Sequence, residues 1–305
     1  MLRQAENKVR IEGILSEIDL KYGSYVKNGV TVDTIGGSIK VLVHQQVNGE
    51  DVALIIPVYM FSPKLTNAGK PNPAFESIEK VMKEYVSIAS GAGEAGADKI
   101  RITSGLVRMN EYYNPQGQLV SFPRINTSFI QKVVGDFHPE ASWSLEFAVS
   151  SFDFVTDNEG IEIEPKKLRI KVIVPQYGGK IDTMELYATN PRVIDAITTY
   201  WENGKTYSAK GRLNFTSTTK EIVQEYDFGE ADTRYQTISL SELIVTKGTQ
   251  APLEDDMSFA PAELAAALKE HKAYLETLKD KTANKPKATP APSGTSTNEA
   301  FDLGF

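Results

Sequence analysis

The sequence predicts a mainly β protein with short helices, built as two tandem five-stranded Greek-key barrels followed by a C-terminal helix and a disordered tail. Three observations lead there. A seven-residue run, Ile39-Lys40-Val41-Leu42-Val43-His44-Gln45, recurs as Ile170-Lys171-Val172-Ile173-Val174-Pro175-Gln176, identical at five positions and Leu for Ile at a sixth. The same order of strand-like and helix-like segments surrounds each copy, the mark of an internal repeat. The 305 residues, 41% of them hydrophobic, also suffice for about two domains with real cores.

In chain order, each repeated run follows a strand-like segment: Lys8 to Leu15 in the first half and Trp143 to Val149 in the second. A turn comes next, at Asn48-Gly49-Glu50-Asp51 and at Tyr177-Gly178-Gly179-Lys180, where glycine supplies the positive φ of tight hairpins. A third strand follows, Val52 to Ile56 in one half and Ile181 to Ala188 in the other. Pro73 to Ser90 then reads as a helix, with Phe75, Ile78, Val81, Met82, Tyr85 and Val86 on one face. Its counterpart is Pro191 to Trp201, with Val193, Ile194 and Ile197 inward, Asn190 as N-cap and Pro191 at the first helical position. Two strands close each unit: Lys99 to Met109 and Ser121 to Val134, then Thr206 to Phe215 and Thr237 to Thr246. The order β-β-β-α-β-β fits the OB fold. The expected domains are residues 1–137 and 138–250, a C-terminal helix at 251–280, and a linker with a terminal tip at 281–305.

Asn7-Lys8-Val9-Arg10-Ile11-Glu12-Gly13-Ile14-Leu15 resembles the opening strand of single-stranded DNA-binding proteins, where an Asn-x-Val-x-x-x-Gly-x-Leu pattern recurs. Gly204 to Leu213 is similar to the helix exit and fourth strand of many OB folds. The architecture over residues 5 to 250 looks like the replication-associated single-stranded DNA-binding proteins of bacteriophages. The resemblance implies a non-enzymatic protein that coats unpaired DNA, RNA not being excluded, and that recruits replication or recombination proteins. No cofactor or metal is implied.

Composition narrows the alternatives. The absence of cysteine removes disulfides, thiolate metal sites and cysteine nucleophiles, and His44, His138 and His271 are too scattered for a histidine-rich metal site. No phosphate-binding loop, serine elbow or paired-histidine motif is present. Asp153, Asp157, Glu159, Glu162 and Glu164 read as a solvated loop rather than a Mg²⁺ site, and Gly91 to Gly96 reads as a flexible connector. With no signal-peptide core and no apolar run near the ~18 residues of a membrane span, the expected location is the cytoplasm, that of the host if the protein is phage-encoded. The net charge of −7 runs against nucleic-acid binding, which draws much of its affinity from phosphate neutralisation. It favours the rival reading, a tandem β-barrel protein–protein scaffold or virion component that binds no nucleic acid.

OB barrels bind strands across the outer face of strands two and three and the adjoining loops. On that basis Lys40, Lys171 and Arg169 are the backbone-tracking cations. Tyr22 and Tyr25, with Lys21 and Lys27, are expected in a loop beside them. Tyr59 and Phe61, ending the third strand near Lys64, supply stacking faces, as do Tyr112 and Tyr113 at a hairpin tip and Tyr177 in the second hairpin. Phe147, Phe152, Trp201 and Phe215 are assigned to the core, and Trp143 fits either role. The Pro-, Ala- and Thr-rich stretch Lys285 to Thr297 cannot bury apolar area. It ends in Phe301, Asp302, Leu303, Gly304 and Phe305, a tip that resembles the phenylalanine-ended docking tails of single-stranded DNA-binding proteins but carries few acidic side chains.

Overall fold

Alternation along the repeated runs sets the sheet faces. Ile39, Val41 and Val43 are buried with Lys40 turned away, and Ile170, Val172 and Val174 are buried with Lys171 exposed. The structure, a computed structural model, describes residues 2–47, 49–224 and 232–283, with backbone alone at 217–224, 232–239 and 281–283. The first half holds β1 (Asn7–Lys27), β2 (Val30–Val47), β3 (Glu50–Pro63), α1 (Pro73–Glu84), a one-turn α2 (Gly93–Gly96), β4 (Lys99–Tyr113), β5 (Leu119–Asn126) and β6 (Gln131–Lys132). The second holds β7 (Glu140–Phe154), β8 (Leu168–Pro175), β9 (Ile181–Ala188), α3 (Pro191–Tyr200), β10 (Thr206–Gln224), β11 (Asp232–Gly248) and α4 (Pro261–Ala283).

Pairing runs antiparallel from β1 to β2 to β3, parallel from β3 to β5, antiparallel from β5 to β4, and returns from β4 to β1. The second half repeats this circuit: β7 to β8 to β9, parallel to β11, antiparallel to β10, and back to β7. Register agrees as well. Val58 and Tyr59 lie beside Ile125 and Asn126 as Leu186 and Tyr187 lie beside Leu243 and Ile244. A slip between Leu15 and Glu17 is matched by one between Val149 and Ser151. The two sets of strands, expected as separate units, join where β1 pairs with β7, so the described strands form one 11-stranded sheet.

Several expected boundaries move. The segment holding Tyr22 and Tyr25 is strand, because β1 continues into a long hairpin with β2. The helix from Pro73 stops at Glu84, so Val86 is exposed, and the expected strand from Ser121 to Val134 splits into β5 and β6. The Gly91–Gly96 connector carries α2. The last hairpin, β10 with β11, runs well past Phe215 and begins before Thr237. Among the helices, Asn190 caps α3 as expected, its Oδ1 accepting the Arg192 amide at 3.0 Å, and Asn72 caps α1 the same way.

The core lies on the inner faces of both circuits and under the helices. Phe147, Trp201 and Phe215 are buried, Phe152 packs against them, and Trp143 resolves to the core at 2% exposure. Trp201 stacks on Tyr207 at 5.0 Å. Gly211 in β10 pairs with Trp143 because nothing larger fits. A Cβ there would lie 2.5 Å from Trp143 Cζ2 and closer still to the Ile244 carbonyl. Asn7, the first residue of the opening-strand pattern, is buried and both donates to and accepts from the Val107 backbone, fastening β1 to β4. α4 docks on this body through Leu264 and Ala267, and Phe259 just before it lies under Arg3. Among the described residues no helix is long and apolar enough to cross a membrane, and no cluster of histidine, aspartate and glutamate has the makings of a metal site.

Candidate functional site

Three cross-strand rungs build the outer face of β1, β2 and β3: Lys21–Gly36–Phe61, Asp19–Ser38–Tyr59 and Glu17–Lys40–Pro57. The first two rungs line a cleft of about 300 Å³, which Tyr25 and Arg124 also line. Gly36 keeps its floor open, since a Cβ there would lie 2.9 Å from Phe61 Cδ2 and push the ring out of place. Arg124 reaches the cleft from β5. Its guanidinium sits 3.9 Å above the Tyr59 ring, and Nη1 donates to Asn110 Oδ1 at 3.2 Å. Its Nε is buried with no hydrogen-bond partner among the described residues, and burial lowers its pKa without threatening its charge.

A second, wider cleft of about 860 Å³ lies between the halves and is lined by Phe122, Lys171 and Tyr187. Tyr59 lines both clefts, which therefore adjoin at this residue. Tyr187 is the register counterpart of Tyr59: Tyr59 pairs with Ser38 and Tyr187 with Arg169, one position before Ile39 and Ile170 of the repeated runs. Burial, then the hydrogen bond that its hydroxyl donates to Glu185, raises the Tyr187 pKa and keeps it neutral.

The structure thus gathers Lys21, Tyr25, Tyr59 and Phe61 in the first cleft and puts Lys171 in the second. Other expected residues are placed differently. Tyr22 also lines the first cleft, but it lies opposite buried Ile35, with its ring 6.2 Å from Phe75 of α1 and its hydroxyl donating to Glu79. Lys40 is half-buried and ion-paired with Glu17 at 2.6 Å, while the equivalent partner of Lys171 is the neutral Ser151. Arg169 is held by Asp153 and lies 4.0 Å from Glu185. Lys64 lies 3.9 Å from Asp33, and Lys27 sits at the far, exposed end of β1. Tyr112 and Tyr113 end β4 at the hairpin tip, as expected, opposite Val120 and Leu119, with Tyr112 edge-on to Phe122 at 6.5 Å. Tyr177 is 82% exposed on a 3-10 turn and lines neither cleft. Phe301, Asp302, Leu303 and Phe305 lie outside the described residues. Arg124, Phe122 and Tyr187 were not singled out by sequence. Extending the repeat into the third strand, Val58-Tyr59 against Leu186-Tyr187, would have found the last of them.

A mainly β sheet protein with an aromatic, cation-flanked surface cleft is the class that this fold and site define. The chain belongs to the YorF family, whose model matches residues 5–281. No curated protein matches it in sequence. Among solved structures it is similar to the wild-type single-stranded DNA binding protein from Thermus aquaticus, with 12% identity over 83% of this chain and 95% of that one and a TM-score of 0.49. It is similar to a deletion mutant of that protein at 14% identity, 83% and 97% coverage and a TM-score of 0.46. A replication protein A heterotrimer bound to single-stranded DNA matches at 10% identity, 89% and 70% coverage and a TM-score of 0.21.

Proposed function

We propose that the protein binds single-stranded DNA along the outer face of β1, β2 and β3, and that the strand continues past Tyr59 into the cleft between the halves. The observation that carries this reading is the gathering of Lys21, Tyr25, Tyr59, Phe61 and Arg124 in one cleft. Ring faces accept any unstacked base, and stacking is worth roughly 1–3 kcal/mol per base. Flanking cations track phosphates, so local placement offsets a net charge of −7. Paired bases in a duplex cannot present their faces to Tyr59 and Phe61, which makes the cleft selective for single strands.

In the same reading, each circuit of five strands is an OB-type barrel, residues 1–137 forming the first domain and 138–250 the second. The chain acts without catalysis, and the terminal tip at 281–305, with Phe301, Asp302, Leu303 and Phe305, recruits replication or recombination proteins. A second reading, a protein–protein scaffold, is favoured by one observation: Lys40 and Arg169 are tied to carboxylates. Titration of tyrosine fluorescence with single-stranded and duplex oligonucleotides separates the two. Quenching by single strands that duplex competitor does not reverse is expected. No quenching and no gel shift at low salt would leave the scaffold reading standing.

A further inference from the structure

A second groove, of about 870 Å³, crosses the seam where β1, β7 and β10 run side by side. Register stacks its side chains in two rows. Lys8 pairs with Ser144, which pairs with Lys210, which pairs with Lys247. Two residues along each strand, Arg10 pairs with Ser142, which pairs with Arg212. Lys8, Arg10, Lys210 and Lys247 are exposed and Arg212 half-buried. Five cations therefore occupy one outer face, spaced roughly 6.6 Å along a strand and about 10 Å across two strand gaps.

Such crowding is unfavourable in isolation. Like charges directly opposite on a sheet destabilise it, and Lys210 faces Lys247. The groove also holds Glu6, 3.5 Å from Lys8, and Glu140, which accepts from Ser142. Two carboxylates against five cations leave a positive surplus of three, although the chain as a whole is acidic. The floor offers no indole face, because Trp143 is sealed beneath Gly211 with its Nε1 donating to the Arg212 carbonyl, and the imidazole of His44, which also lines the groove, lies 3.5 Å from Glu94.

We infer that this seam groove is a second nucleic-acid site, which holds the phosphodiester backbone through the charge of its lysines and arginines and reads no base. It rests on the proposed single-strand binding only for the class of ligand. A second copy of the chain is a poor occupant, since the face would then meet its own positive surplus.

The test uses the full chain and long oligothymidylate, with the slope of log affinity against log salt as readout. Each phosphate contact on a single strand contributes about 0.7 to that slope. The triple variant Lys8→Gln, Lys210→Gln, Lys247→Gln is expected to lower it by about 2 and to leave maximal tyrosine quenching unchanged, while the Lys→Arg triple retains the wild-type slope. Near-UV circular dichroism checks that both variants fold. An unchanged slope in a variant that still binds would overturn the groove and spare the cleft. Wild type that binds duplex and single strand alike, with the Gln triple binding neither, would keep the groove and sink the cleft. Sedimentation showing a dimer that the Gln triple dissociates, with the slope unchanged, would assign the face to a second copy and overturn the inference.

Discussion

Tyr59 is the residue on which the proposed strand path turns, because it borders both clefts and its ring carries Arg124 3.9 Å above it. Replacing Tyr59 by Ala removes one stacking face, worth roughly 1–3 kcal/mol. At about 1.4 kcal/mol per factor of ten, single-strand affinity should fall roughly 5- to 150-fold. No charge is lost and Arg124 stays anchored by Asn110, so the salt dependence should run parallel to that of wild type. Tyr59→Phe, which keeps the ring face, should bind within a factor of a few. The assay is a fluorescence titration at several salt concentrations, with a thermal melt to confirm the fold. An affinity for Tyr59→Ala within twofold of wild type would refute the stacking argument. A loss accompanied by a flatter salt slope would show that the residue had been acting through its cation and not its ring.

Lys171→Ala should weaken single-strand binding and reduce its salt slope, whereas Lys40→Ala should change both little, since Lys40 is neutralised by Glu17; parallel titrations decide it. Gly211→Ala should destabilise by about 3 kcal/mol or more, because the new methyl meets backbone and the Trp143 ring rather than a flexible side chain; a urea melt measures it. Arg108→Ala leaves the buried Asp182 carboxylate without its 2.8 Å partner. With Arg108 37% exposed, solvent screening holds the loss to about 2–3 kcal/mol, read from the same melt. His271 on α4 lies 3.4 Å from Glu111, whose carboxylate raises the histidine pKa against the opposing effect of burial. A raised folded-state pKa stabilises fully below about pH 6.5 and is lost as pH rises through the raised value. The melting-temperature gap between wild type and His271→Gln should therefore shrink from acid toward alkaline pH; a gap independent of pH would contradict it.

Much of the fold was legible because its signals are local. Period-two alternation at 39–43 and 170–174 needs only a few adjacent residues, and so does the Asn190-Pro191 helix start. The repeat then carried strand order from one half to the other. The helix from Pro73 was overextended because the apolar spacing continues through Val86, past the point where the backbone turns extended at Tyr85. Tyr22 and Tyr25 were assigned to a loop because the segment between Leu20 and Val30 lacks alternating apolar residues, whereas the long hairpin there is held by backbone pairing.

The sequence by itself determined the β-rich repeat, the helix capped by Asn190 and the rings and cations available to a ligand. Only the tertiary structure decided that Glu17 forms an ion pair with Lys40 while Lys171 lies between Ser151 on β7 and Glu185 on β9, that Arg124 covers Tyr59, and that β1 joins β7 to align five cations. The physical reason is that a strand's faces follow from neighbours in the chain, whereas its partners depend on register across residues that can be a hundred or more positions apart.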